Sequence, residues 1–85
     1  MANYNVRITK SAANELENLP KPDRLRIIER IRSLSENPRP HGCEKLSGED
    51  KYRIRQGDYR ILYTIDDQII TVKVVKIGNR RDVYK

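Results

Sequence analysis

Tyr4-Asn5-Val6-Arg7-Ile8 alternates apolar and polar side chains, the two-residue period of a half-buried strand. The period then lengthens. Ala12, Ala13, Leu16 and Leu19 recur at helical spacing, with Thr9 and Ser11 as candidate N-caps. Pro20-Lys21-Pro22-Asp23 breaks that helix, and Pro22 suits the first turn of a second one. Leu25, Ile28, Ile31 and Leu34 predict an apolar stripe along the second helix, widened by Ile27. Arg24, Arg26, Arg30 and Arg32 lie largely off that stripe, interrupted by Glu29. The pattern is that of an antiparallel helix pair joined by a tight turn, and residues 37–42, rich in Pro and Gly, end the helical half.

The second half returns to period two. Lys51-Tyr52-Arg53-Ile54-Arg55 alternates strictly, Gln56-Gly57-Asp58 supplies a turn, and residues 59–65 form the next strand. Asp66-Asp67 predicts a tight reversal. Residues 69–77, rich in β-branched side chains, make a third strand that Gly78 closes, and a basic tail follows. The order β-α-α-β-β-β predicts an α+β fold, with an N-terminal strand and a helix pair packed on a mainly antiparallel sheet. The other sheet face is then open to a ligand. Neither a repeat nor a linker interrupts the chain, so residues 1–85 read as one domain.

Composition adds two constraints. The 85 residues contain neither Trp nor Phe, so Ile, Val, Leu and Tyr must build the core. Cys43 is the only cysteine, which excludes a disulfide framework and fits a reducing cytoplasm. The amino terminus lacks a signal-peptide pattern, and no uncharged stretch is long enough to span a bilayer; a cytoplasmic protein with no membrane partner is expected. Charge is uneven. Residues 1–50 carry nine basic and eight acidic side chains, whereas residues 51–85 carry nine and four. A basic second half points to polyanions, nucleic acid first, although a solvated surface carries the same signature.

The candidate chemistry follows that charge. If Gln56-Gly57 is a two-residue loop, Arg53 stands directly opposite Arg60, with Arg55 on the same face, away from Tyr52, Ile54 and Tyr59. Like charges placed opposite each other are destabilising, and a bound phosphate would give them a purpose. A three-residue loop would instead set Arg60 beside Ile54 and loosen the cluster; an ordinary solvated strand face is the plainer alternative. Arg80, Arg81, Tyr84 and Lys85 follow the last strand. Arginine grips phosphate bidentately, and tyrosine stacks on a base, exchanges a proton, or anchors into its own core. No metal or cofactor is expected. His41 and Cys43 are solitary of their kinds, Asp58, Asp66 and Asp67 are turn-formers, and neither a phosphate loop nor a triad is present.

Lys45-Leu46-Ser47-Gly48, Tyr52-Arg53-Ile54-Arg55, Gly57-Asp58-Tyr59-Arg60-Ile61-Leu62-Tyr63 and Ile77-Gly78-Asn79-Arg80-Arg81-Asp82-Val83-Tyr84 together resemble the RelE/ParE toxin superfamily. The element order resembles that superfamily's over nearly the whole chain. The resemblance implies the toxin of a type II toxin-antitoxin system. Its RelE-like members cut messenger RNA in the ribosomal A site, without a metal, by 2′-hydroxyl attack on the adjacent phosphate; its ParE-like members inhibit DNA gyrase. By the same resemblance Arg60, Arg80 and Tyr84 are expected to be catalytic, with Arg53, Arg55, Arg81 and Lys51 binding RNA phosphates. Asn79 stands where many relatives carry Lys or His. The implied partners are a RelB-like antitoxin and the ribosome with its message; a small-molecule ligand is not expected. Joint retention of Arg53, Arg60, Arg80 and Tyr84 favours the nuclease over a gyrase inhibitor, and a ribosome- or antitoxin-binding module that no longer cuts is the third reading.

Overall fold

The computed structural model describes residues 3–46, 48 and 50–79. Its elements are β1 (Asn5–Ile8), α1 (Lys10–Glu17), α2 (Lys21–Ser33), β2 (Glu44–Lys45), β3 (Lys51–Gln56), β4 (Tyr59–Asp66) and β5 (Thr71–Asn79). They form one five-stranded sheet in the order β1-β5-β4-β3-β2, with β1 parallel to β5 and the other pairs antiparallel. Two helices on one face of this sheet make the α+β arrangement expected from the pattern. β2 is an addition. Two residues are too few to show an alternation, so this edge strand leaves no periodic trace in the sequence.

Thr9 is the N-cap of α1, its hydroxyl accepting the Ala12 N–H at 3.2 Å. Pro20 precedes α2 and Pro22 lies in its first turn, where a missing N–H goes unnoticed. The apolar stripe of α2 sits elsewhere than expected. Ile27, Ile31 and Leu34 are buried, while Leu25 is 53% exposed. At about 100° per residue, Leu25 points roughly 150° away from the centre of the other three, because steps of three drift off a helix face. Ile27, Ile31 and Leu34, with Ala12 from α1, pack on Ile54, Ile61, Tyr63, Val72, Val74 and Ile77.

Beyond Val74 the outer edge of β5 has no β1 residue left to pair with. The N-cap of α1 and a residue of its last turn cover it: Thr9 N–H donates to the Val74 carbonyl at 2.9 Å, and the Ile77 N–H donates to Glu15 Oε1 at 3.1 Å. Buried strand edges need such partners.

The β4–β5 connection is longer than the expected reversal. β4 runs through Asp66, Ile69 and Ile70 lie in the turn, and β5 begins at Thr71. Asp66 Oδ1 accepts N–H groups of Gln68 and Ile69 at 3.0 and 3.2 Å, which diverts the chain from strand pairing. Ile70 has φ 49°, a conformation that β-branched residues seldom adopt, and its carbonyl accepts from Asn5 N–H at 2.9 Å. Gly78 does not close β5; it lies within the strand.

Candidate nucleic-acid interface

The hairpin loop is Gly57-Asp58, with Gly57 at φ 59°. This differs from both registers expected from the sequence. Arg60 pairs with Arg55, not with Arg53 or Ile54, and Gln56 pairs with Tyr59. The face assignment survives because Arg53 and Arg55 are two residues apart and partners across a ladder share a face.

Following the ladders across the sheet gives three rows on the side away from the helices. The first joins Arg7, Lys73, Thr64 and Lys51; the second joins Lys76, Leu62, Arg53 and Glu44; the third joins Gly78, Arg60 and Arg55. Every row holds two or more basic side chains, and all the arginines of β3 and β4 are here. Gly78 directly opposite Arg60 means that no side chain projects from β5 at that point.

This face is less open than the pattern predicts. Arg60 is 5% exposed and Leu62 9%, although neither points toward the helices. β4 is the central strand, and its run Arg60-Ile61-Leu62-Tyr63 is buried throughout. Arg53 is enclosed too. Its Nη2 donates to Glu44 Oε2 at 2.6 Å, and Arg55 Nη2 lies 3.9 Å from Glu44 Oε1. Arg53 above all, then Arg55 and Arg60, hold the Glu44 carboxyl below the usual range. Glu44 escapes sequence reasoning since its place depends on β2, although an acidic residue shortly before a basic strand is the one available hint.

Of the residues singled out in the sequence, Arg53, Arg55 and Arg60 come together at the hairpin end of the sheet. Lys51 shares their face but lies about 13 Å along β3 from Arg55, apart from the arginine cluster. Arg80, Arg81 and Tyr84 lie outside the described residues.

A second polar cluster anchors the segment that leads into β2. The fully buried Tyr63 donates its hydroxyl to the Pro38 carbonyl at 2.7 Å and lies 3.2 Å from Cys43 Sγ. Burial, and next the Cys43 contact, push this phenol above its ordinary pKa. The Tyr63 ring stacks on Tyr52 at 5.9 Å, and the Arg39 guanidinium lies 5.4 Å from the Tyr52 ring centre. Arg39 also pairs with Asp67 at 3.0 Å, and Tyr4 donates to Asp67 at 2.7 Å. Asp67 therefore does more than form a turn. On the helix side, a groove of about 700 Å³ runs between β1 and the helices, lined by Val6, Ile8, Leu16 and Ile28 among others.

Among the described residues, no three His, Cys, Asp or Glu side chains gather where they could hold a metal ion. No helix among them is long and apolar enough to cross a membrane. The arrangement instead suits an anion with several charged oxygens, since guanidinium groups bind such oxygens by charge and by paired hydrogen bonds.

Residues 6–84 match the family described as the ParE toxin of the type II toxin-antitoxin system parDE. Toxin RelG of Mycobacterium tuberculosis is 34% identical, over 96% of this chain and 97% of its own. The fold is similar to a chain of the RelBE2 toxin-antitoxin complex of Mycobacterium tuberculosis, with TM-score 0.82, 32% identity and coverage of 92% and 99%. It is also similar to a chain of the archaeal RelE-RelB complex of Pyrococcus horikoshii, with TM-score 0.79, 31% identity and coverage of 92% and 96%.

Proposed function

This chain belongs to the RelE/ParE superfamily, the toxins of type II toxin-antitoxin systems, and from that premise we propose that it is a ribosome-dependent messenger-RNA endonuclease. The observation that carries the reading is the convergence of Arg53, Arg55 and Arg60 on one face of β3 and β4. In the proposed reaction an RNA 2′-hydroxyl attacks the adjacent phosphorus, the bond to the 5′-oxygen breaks, and a 2′,3′-cyclic phosphate forms. The hydroxyl proton leaves to a base, and the departing oxygen takes one up. Negative charge builds on the phosphorane oxygens, where preorganised guanidinium groups are most effective. Arg60, already enclosed, needs little reorganisation to act there. Arg80 and Tyr84 complete the proposed catalytic set. Tyr84 moves a proton or stacks on a base, and Arg81 and Lys51 hold flanking phosphates. A site relying on charge and position gains from a ribosome that holds the message in line.

A RelB-like antitoxin is the proposed protein partner, in keeping with the complexes formed by the relatives of similar fold. The family description, which names ParE, favours one competing reading: an inhibitor of DNA gyrase with no RNA chemistry.

Induction in cells, followed by mapping of message 5′ ends, separates the two. Under the nuclease reading, new ends arise within translated frames, not in untranslated transcripts, and are lost with Arg60→Ala. Tyr84→Phe, which keeps the ring and removes the hydroxyl, then reports on proton transfer. Growth arrest with no new RNA ends and with DNA breakage overturns the nuclease in favour of gyrase.

A further inference from the structure

We infer that Glu44 is a built-in counter-anion, holding the place of a substrate phosphate between Arg53 and Arg55 and giving it up when RNA arrives. The inference rests on the reading of the basic face as an RNA site. It makes Glu44 a positioning residue that also regulates access.

The geometry resembles that of a bound phosphate. One carboxylate oxygen lies 2.6 Å from the Arg53 guanidinium and the other 3.9 Å from that of Arg55, so two oxygens of one anion address two cations. Two non-bridging phosphate oxygens can take the same places. Charge explains why a stand-in is useful. Arg55 sits directly opposite Arg60, with Arg53 two residues along, and such a group repels itself when no anion is near. The Glu44 carboxyl is held below its ordinary pKa by these same arginines, so the exchange is one anion for another.

The two partners differ in how firmly they are held. The Arg53 side chain is only 13% exposed, whereas that of Glu44 is 53% exposed. Glu44 also belongs to a two-residue strand at the sheet's edge. The arginine is the fixed half of the pair and the carboxylate the half that can swing out. Exchange lowers the affinity for loose RNA, because a phosphate must first displace a carboxylate.

The test uses purified protein and a single-stranded heptaribonucleotide carrying 2′-O-methyl groups, which binds and cannot be cut. Anisotropy titrations over a salt series compare the wild type with Glu44→Gln, with Arg53→Ala/Arg55→Ala, and with Glu29→Gln. The last removes one negative charge from an exposed position on α2. Removing a charge next to the phosphate should tighten binding about tenfold at low salt. The slope of log affinity against log salt should steepen by about 0.7, the increment for one more phosphate contact on a single strand. Glu29→Gln should produce neither change. Binding by Glu44→Gln that equals or falls below wild type overturns the inference, as does an equal gain from Glu29→Gln. If Arg53→Ala/Arg55→Ala binds as well as wild type, the RNA reading of the face itself fails and the inference falls with it. Weaker binding by that double variant leaves the face intact and lets Glu44→Gln decide.

Discussion

Residues 60–63 of β4 alternate between two environments that are both closed to solvent yet built from different chemistry. Ile61 and Tyr63 face the helices and are fully buried among Ile27, Leu34 and Val74; Arg60 and Leu62 face the other way and are also buried. On the first side every contact favours folding. On the second, an arginine stands opposite an arginine and a glycine lies where a side chain would otherwise pack. Like charges directly opposite each other across a ladder are unfavourable. Burying one isoleucine side chain contributes about 1.5–3 kcal/mol. The fold is thus secured mainly from the helix side, and the other side collects the charge.

Substitutions on the two sides should behave differently, and the largest effect belongs to the helix side. Ile61→Ala should destabilise by about 2–5 kcal/mol, read as a fall in the urea midpoint. That is a large share of what a domain this size possesses. If the loss were below 0.5 kcal/mol, the helix side would not be the source of stability. Next, on the charged side, Arg60→Ala should slow message cleavage on ribosomes by about 10²–10³, measured in single turnover. A fall of less than threefold would remove Arg60 from the reaction.

Tyr63→Phe probes the polar anchor behind β2 and should cost about 1–3 kcal/mol, since it strips a buried carbonyl of its donor. Its pH dependence has a definite sign. The Tyr63 pKa is raised from 10.0, so the fold favours the neutral phenol. That contribution is complete below pH 10 and is lost as pH climbs through the folded-state value. Urea midpoints measured upward from pH 9 should therefore fall less steeply in Tyr63→Phe than in wild type, and an identical fall would contradict the assignment.

Arg55→Ala should leave stability unchanged or raise it by up to about 1 kcal/mol, while weakening RNA binding. A clear loss of stability would mean that the charged side also supports the fold. The smallest effect is expected at Asp67, whose pKa is lowered chiefly by Arg39 and then by Tyr4. Its carboxylate form contributes above the ordinary value of 3.8, and that contribution is lost as pH falls through the lower folded value. Asp67→Asn should flatten the decline of stability only at the acid end of a pH series.

The same two-sidedness explains what the sequence discloses. Alternation in Lys51–Arg55 identifies the strand and puts its arginines on one face, because the side-chain period is two whichever partner the strand finds. The register depends on the hairpin loop, and Gln56-Gly57-Asp58 admits more than one loop. Gly57 decides it by taking φ 59° at the first loop position. The stripe on α2 is misplaced for a related reason: Leu25 continues an i+3 series that looks regular in sequence but turns away from the sheet. Burial of Arg60 is unreadable from its neighbours in sequence, where it reads as one more charged residue on an alternating strand. Glu44 is hidden because it belongs to a strand too short to show a pattern. The family motifs lead to the superfamily where local rules stop, and they say little about Glu44 or Ile70.

The most direct test presents one message to the purified toxin in two forms, naked and positioned in the ribosomal A site. The account predicts that the wild type cuts the ribosome-held codon, leaving a 2′,3′-cyclic phosphate, and barely cuts the naked strand. Arg60→Ala should lose about 10²–10³ of the ribosomal rate. Equal cutting of both forms, or no cutting of either while purified gyrase is trapped on broken DNA, would contradict it.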